Sequence, residues 1–492
     1  MEEKKIHVKL EKHLWPDEIR AKRKKNWQRG FWIVSLVLVF TFGWVVGQSF
    51  GTTTSVAGTS TLSRLEAVYE IMKNDWYFGK DITDNDQKLI DDAIAGMISG
   101  GGDIHTSYMT KEELANFTGS IDMGFVGIGV QYYDSNGTYI IEKVFVDSPA
   151  AKAGVQPGDI IYKVDGTLME GIGTDALATK VKGTAGTTVG IDFIRDGATV
   201  HLDIVRGAVQ NSAYGYMLDT TTAYLEIYQF GSTTDQEVLK YLTAFKTAGA
   251  TKIILDLRDN GGGYLSALES IGSMFVPEGQ TLIQQEKRDG TIEISKSSGK
   301  IVVNFSKVVV LVNQNTASAA EVLTAALKED IGAIVVGTTT YGKGTVQVSR
   351  VFSDGSALKY TIAQWLSPKG NLIDGIGIVP DNVIDVHSVL YTKFVKLDDG
   401  VTVKSDTVGE AVKDVQLALD FLGYKVDRTD GYFSAATLTA LKAYQSEHDL
   451  SATGEITNDL LSTLQSNVVK VWHQDNTAKD VQLKEAKAIV NG

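Results

Sequence analysis

Ser318 stands in the stretch Asn313-Gln314-Asn315-Thr316-Ala317-Ser318-Ala319-Ala320-Glu321. An apolar, strand-like run (308–312) precedes it and an Ala/Leu-rich, helix-like run (319–327) follows. A hydroxyl at a strand-to-helix turn meets unpaired backbone N–H groups and the positive end of the helix dipole. That is the environment an oxyanion needs. Twenty-five residues further on, Lys343 lies in Tyr341-Gly342-Lys343-Gly344-Thr345, and Gln347 follows four residues later. Serine, lysine and a neutral hydrogen-bonding partner are the parts of a serine nucleophile with a lysine base. The base must be neutral to accept a proton, so Lys343 has to be buried; an exposed lysine titrates near ~10.4. The same residues also fit plainer roles. Ser318 would serve as an ordinary helix N-cap, and Lys343 as a solvated loop residue.

These residues need a scaffold, and 208–390 reads as an α/β region that supplies it. Residues 222–228 read as a strand and 236–248 as a helix. Lys-Ile-Ile-Leu-Asp-Leu (252–257) reads as a strand buried on both faces. That strand ends in Arg258-Asp259-Asn260-Gly261-Gly262-Gly263-Tyr264, and a helix follows. Three glycines at a strand end let backbone approach a ligand closely. Phosphate binding and an oxyanion hole both remain open there, although no Gly-Lys-Ser/Thr follows. Asp256 and Asp259 are candidates for paired carboxylate catalysts, with Asp259 fitting a turn-shaping role better.

Around this region the chain divides further. Residues 61–119 read as helical, with Leu62, Leu65, Val68, Ile71 and Met72 at helical spacing, and Leu89, Ile90, Ala93, Ile94 and Met97 again. The turn Asp103-Ile104-His105-Thr106-Ser107-Tyr108 carries acid, base and hydroxyl side by side. It reads as structural, because neighbours on one loop rarely converge on one atom. Residues 120–207 read as a small β-rich module, punctuated by Phe125-Val126-Gly127-Ile128-Gly129-Val130, by Ser148-Pro149 and by Pro157-Gly158-Asp159. Residues 404–467 read as a helical module and 468–492 as a tail helix. In that tail Lys479-Asp480-Val481-Gln482-Leu483 echoes 413–417, by coincidence or as a helix closing on the α/β region.

The N-terminus is basic over 22–29 and then almost wholly apolar from Phe31 to Gly47. This predicts a cytoplasmic tail (1–30) and a membrane-spanning helix (31–51), with the remainder outside the cytoplasm. A net charge of −13 argues against nucleic acid as a partner. The absence of cysteine excludes a thiol nucleophile and a thiolate metal site. Among seven histidines no pair has metal-ligand spacing, so neither metal nor cofactor is expected.

The order of these motifs, with Asp256-Leu257-Arg258-Asp259-Asn260-Gly261-Gly262-Gly263, Ser318 and Lys343, resembles the C-terminal processing (tail-specific) serine peptidases over about 60–390. The resemblance implies a PDZ domain at 120–207 and a crotonase- or ClpP-like α/β peptidase core at 208–390. It places the nucleophile on Ser318, the general base on Lys343 and the third member on Gln347. Oxyanion donors would be the N–H of Ala319 and of Gly262 or Gly263. The PDZ would take a peptide C-terminus by strand addition, using Phe125, Val126, Gly127, Ile128, Gly129 and Lys182. Three departures stand out: the family's Asn-Pro-Gly-Gly is Asn260-Gly261-Gly262-Gly263 here, its Ser-Ala-Ser-Ala-Ser-Glu is Thr316-Ala317-Ser318-Ala319-Ala320-Glu321, and Lys182 replaces a common arginine. Residues 404–467 resemble a three-helix peptidoglycan-binding domain.

The expected whole is a multidomain α+β and α/β chain. It would be a membrane-anchored serine endopeptidase that cleaves near protein C-termini on the outer face of a Gram-positive cell membrane. Its partners would be protein C-termini, peptidoglycan, the membrane and, from the amphipathic helices within 62–99 and the C-terminal tail, a second copy. A silent PDZ and peptidoglycan-binding scaffold, a cell-wall hydrolase and a crotonase-like enzyme remain rivals.

Overall fold

The two apolar runs become adjacent parallel strands, Lys252–Asp256 and Lys307–Val312, at the centre of a six-stranded sheet in the computed structural model. The structure describes residues 61–122, 125–209, 212–473 and 479–492. The sheet order is Ala213–Met217, Thr222–Ile227, Lys252–Asp256, Lys307–Val312, Ile334–Gly337 and Asn382–Val383, parallel except for the first pair. Side chains alternate between faces along a strand, so a continuous apolar run requires a cover on each side. Ile253, Leu255, Val308, Val310 and Val312 pack into the larger core with helices Thr234–Ala248, Leu265–Gly272 and Ala319–Ile331. Ile254, Val309 and Leu311 face the other way, where Ala486 and Val490 of the helix Val481–Asn491 cover them. Each such side chain contributes roughly 1.5–3 kcal/mol when fully buried. The closing-helix reading of the 479–483 echo is thus the one the fold adopts.

A second sheet positions the lysine segment. Its long strand Ala357–Leu366 pairs with Ser107–Met109, Thr281–Lys287 and Thr345–Val351. The strand Thr345–Val351 begins two residues after Lys343, and its register shifts between Val346 and Gln347.

Residues 130–205 fold into a second β-module, whose sheet runs Val130–Ser135, Thr138–Val144, Ile160–Val164, Thr188–Arg195 and Ala198–Val205. Val130–Ser135 is therefore an edge strand. Helices Glu410–Leu422, Ala435–Glu447 and Asn458–Trp472 enclose one core that includes Val412, Val415, Leu441, Tyr444, Leu461 and Leu464. Ser434 and Thr457 cap the second and third by accepting from Thr437 N–H and Leu460 N–H. The third helix docks on the β-module: Ser135 donates to Gln465 Oε1 (2.5 Å), Ser466 to the Gly158 carbonyl (2.5 Å), and Lys470 pairs with Asp196 (2.7 Å).

Residues 61–96 belong to a separate unit. Its helix Thr61–Asn74 leaves Leu62, Leu65, Val68 and Ile71 exposed.

The expected fold class needs one correction. The membrane-spanning helix anticipated over 31–51 lies outside the described residues, and among the described residues no helix is long and apolar enough to cross a membrane. The longest, Asn85–Gly100, has 16 residues, about 24 Å of rise against the roughly 30 Å of a bilayer core. It also carries Asp86, Lys88, Asp91 and Asp92. The described architecture is a mixed α/β chain: a β-module, an α/β core and C-terminal helices.

Candidate active site

The Ser318 loop and the glycine loop leave the carboxyl ends of neighbouring parallel strands, where open α/β sheets place their ligands. Side chains stitch the two loops together. Asp259, at φ 59°, accepts from Asn313 Nδ2 and Asn315 Nδ2 (both 2.8 Å), and its own N–H donates to Asn313 Oδ1 (3.0 Å). Thr316 Oγ1 donates to the Leu257 carbonyl (2.8 Å), and Ala317 N–H to that of Asn260 (2.9 Å). Asp259 thus shapes the turn and is committed to it.

Ser318 sits at φ 55°, ψ −121°, a conformation costly for any residue with a Cβ. This turn, followed directly by helix Ala319–Ile331, leaves the serine half-buried at the helix start. The glycine loop lies against it. A Cβ on Gly262 would fall 2.7 Å from Ser318 Cβ and 2.9 Å from Ala319 N; one on Gly263 would fall 2.2 Å from the Phe230 carbonyl oxygen. Both positions also have positive φ, so only glycine fits. The side chain of Asn260 separates the two donors. Its Oδ1 accepts from Gly262 N–H (2.8 Å), while its Nδ2 donates to the Ile227 carbonyl (2.7 Å). Gly263 N–H and Ala319 N–H have no acceptor among the described residues.

Glu321 links serine to lysine, a role the sequence reading did not give it. Its buried carboxylate accepts four hydrogen bonds. Ser318 N–H (2.8 Å) and Lys343 N–H (2.9 Å) reach Oε2, and Thr340 Oγ1 (2.5 Å) and Gly342 N–H (2.7 Å) reach Oε1. Burial raises its pKa, opposed in part by these donors. The Lys343 carbonyl accepts from Trp365 Nε1 (2.7 Å), and Gly344 N–H donates to Asp374 (3.0 Å). Burial lowers the pKa of the Lys343 amine, the neighbouring charge of Lys359 lowers it further, and Glu321 opposes both. The side chains themselves are not joined: among the described residues no hydrogen bond links Ser318 Oγ to Lys343 Nζ. Gln347 Nε2 donates to Thr345 Oγ1 (2.7 Å) and Thr361 Oγ1 (3.4 Å) instead of meeting Lys343.

Behind the glycine loop, Asp256 is not a free catalytic carboxylate. It holds Arg258 (2.6 Å) and accepts from the Tyr224 hydroxyl (2.7 Å), and Arg258 continues to Asp480 on the C-terminal segment (3.0 Å). Burial would raise the Asp256 pKa, but Arg258 overrides this and holds it low. Lys143 of the β-module pairs with Glu226 beside this group.

The expected peptide-binding residues spread over several elements. Phe125–Gly127 pairs antiparallel with Gly207–Val209, Ile128 is buried, and Gly129 takes a left-handed conformation. Lys182 ends the helix Thr174–Val181. Tyr132, on the edge strand, donates to the Thr174 carbonyl (3.1 Å) and so bridges strand and helix. Among the described residues no cluster of three His, Asp or Glu side chains is arranged to hold a metal ion.

Residues 221–384 match peptidase family S41, residues 126–205 the PDZ domain and residues 408–464 the peptidoglycan binding domain. The chain is 33% identical over 445 residues to the carboxy-terminal processing protease CtpA of Bacillus subtilis (strain 168), covering 90% of this chain and 93% of that protein. It is likewise 33% identical over 437 residues to a CtpA-like serine protease of Staphylococcus haemolyticus (strain JCSC1435), covering 88% and 87%. Among solved structures, the photosystem II D1 C-terminal processing protease aligns at 26% identity and a TM-score of 0.44, over 71% of this chain and 92% of that one.

Proposed function

The chain belongs to the carboxy-terminal processing serine peptidases of family S41, with PDZ and peptidoglycan-binding domains, and from that premise we propose that Ser318 is its nucleophile and Lys343 its general base. The neutral Lys343 amine takes the Ser318 proton as Oγ attacks the scissile carbonyl. The oxyanion that forms is met by Gly263 N–H and Ala319 N–H. Lys343 then returns the proton to the leaving amine, and water, deprotonated by the same lysine, releases the acyl group from Ser318. Gln347 completes the site by accepting from Lys343 without adding charge.

The observation that carries this reading is the Glu321 clasp. One buried carboxylate ties the backbone of Ser318 to that of Lys343, so the two segments are held as a pair whatever their side chains do. The lowered pKa of Lys343 supports its role as a base. The PDZ match supports recognition of a substrate C-terminus by addition to the edge strand Val130–Ser135. The peptidoglycan-binding match supports action outside the cytoplasm, at the cell wall. The exposed apolar residues of Thr61–Asn74 support self-association, which sedimentation velocity would reveal.

The test uses an unstructured protein with an apolar C-terminus, with cleavage followed by mass spectrometry. Wild type should cut it, while Ser318→Ala and Lys343→Ala should not. Cleavage by Ser318→Ala would refute the assignment of the nucleophile.

A further inference from the structure

The edge strand Val130–Ser135 has two faces, and only one of them belongs to the β-module's own core. Val130 and Tyr132 pack into that core with Ile141, Leu177 and Val181. The alternate residues, Gln131 and Tyr133, line a cavity of about 1250 Å³ whose other walls include the α/β core and the helix Asn458–Trp472. A β-bulge brings an acid to the same face. Gln131 pairs with Lys143 and Tyr132 with Ile141, so Glu142 is the extra residue and stands with Lys143 on the cavity side.

The two charges fare differently. Lys143 crosses to Glu226 of the α/β core. Glu142 accepts a hydrogen bond from Gln131 Nε2 (3.2 Å) and has no ion pair among the described residues. The Tyr133 hydroxyl makes no hydrogen bond among them either. Burial raises the Glu142 pKa and the charge of Asp259 raises it further, against the pull of Lys143. None of the other cations lining the cavity pairs with Glu142. Arg258 is held by Asp256 and Asp480. Lys393 precedes Phe394, whose carbonyl accepts from Asn136 beyond the far end of the strand. Lys484 and Lys487 are carried by Val481–Asn491, the helix that covers the core sheet.

A substrate tail that adds to this edge with its carboxylate at Gly127-Ile128-Gly129 runs antiparallel to the strand. Residues directly opposed across a sheet point to the same face. The last side chain therefore shares the face of Val130 and enters the module's own apolar groove. The penultimate one shares the face of Gln131 and enters the cavity beside Glu142.

We propose that this cavity reads the penultimate residue of the substrate tail, and that Glu142, with Gln131 and the Tyr133 hydroxyl, selects a lysine or arginine there. The inference rests on the edge-strand docking proposed above and names the tail it takes: apolar at the last position, basic at the one before. The incoming cation supplies the countercharge that Glu142 lacks and donates to the Tyr133 hydroxyl.

The experiment measures binding of fluorescent ten-residue peptides to the full-length Ser318→Ala chain. The peptides end in alanine and differ only in the penultimate residue, which is lysine, glutamine or glutamate. Two controls carry the lysine one place earlier, or end in an amide in place of the acid. The lysine peptide should bind roughly 10-fold more tightly than the glutamine peptide, and the glutamate peptide more weakly still. Moving the lysine one place earlier should lose the gain, because its side chain then points to the other face. Glu142→Gln should remove most of the preference, and Glu142→Lys should reverse it. With wild type, the same tails on an unstructured substrate should differ in KM. The comparison of peptides needs no substitution at Glu142, so it stands even where a variant folds poorly.

Equal affinity for lysine and glutamate at the penultimate position would overturn the proposal while the docking reading stands. So would a lysine preference that survives Glu142→Gln or that ignores the position of the lysine. An amidated tail that binds as well as the acid, or no binding of any peptide, would overturn the docking reading and the proposal with it.

Discussion

Replacing Glu321 tests the clasp, and the two obvious substitutions differ in a way the geometry dictates. Each carboxylate oxygen takes two donors. In Glu321→Gln the amide has one oxygen and one NH2. Its best orientation keeps the oxygen on Ser318 N–H and Lys343 N–H and turns the NH2 toward Thr340, whose hydroxyl can accept. Gly342 N–H is then stranded, at a cost of about 1–3 kcal/mol, and the Thr340 hydroxyl, which already accepts from Ile378 N–H, must redirect its proton. Glu321→Ala strands all four donors in a site with no exposure to water. Relaxation of the loops keeps the total below the simple sum, at roughly 3–5 kcal/mol. For a domain of this size that is a drop of a few degrees for Gln and on the order of 10 °C for Ala in its own unfolding transition. The chain has several domains, so this transition should be followed by calorimetry and not taken from one melting temperature. Release of the Ser318 and Lys343 segments should also cut kcat in Glu321→Ala by about 100-fold. A Glu321→Ala protein with unchanged melting and unchanged kcat, or a Gln variant worse than Ala in both, would refute the reasoning.

Gly263→Ala should lose about 100- to 1,000-fold in kcat, because its Cβ collides with the Phe230 carbonyl and displaces the free donor; a kinetic constant near wild type would place the oxyanion elsewhere. Lys359→Gln removes a positive charge that helps to keep Lys343 neutral, so the acid limb of kcat/KM should move to higher pH, as a pH–rate series would show. His473 is held neutral by burial and by the charges of Lys143 and Arg258, which lower its pKa to about 3. A depressed pKa means the folded state resists protonation; its stability is present above about 6.5 and is lost as pH falls toward the folded value. The contribution lost between pH 7 and pH 5 is roughly 2 kcal/mol. Wild type should therefore lose more melting temperature than His473→Gln over that range, and parallel profiles would contradict this.

What the sequence made legible was local. The strand, tight turn and helix around Ser318 follow from an apolar run, a polar break and an Ala/Leu-rich run within some twenty residues. The helix Ala319–Ile331 and the strand Lys252–Asp256 lie where periodicity predicts them. A helical face over 412–422 is legible in the same way, whereas the count of three C-terminal helices is what the resemblance implies. What stayed hidden was decided by pairings between distant segments. The carboxylate of Glu321 finds partners 19 to 22 residues away at Thr340, Gly342 and Lys343; the Ser318-x-x-Glu321 capping-box spacing signals its bond to Ser318 N–H, but not these distant ones. The Asn260 side chain consumes the Gly262 N–H and leaves that of Gly263 without an acceptor among the described residues.

The double apolar face of Lys252–Asp256 and Lys307–Val312 carries a second consequence. Burial on both sides demands a cover beyond the helices of the α/β region itself. The amphipathic segment that supplies it, Val481–Asn491, comes from the far end of the chain. The same covering helix follows Asp480, which reaches Arg258 and through it Asp256, at the root of the glycine loop. The C-terminal segment therefore completes the sheet and buttresses the glycine loop at the same time.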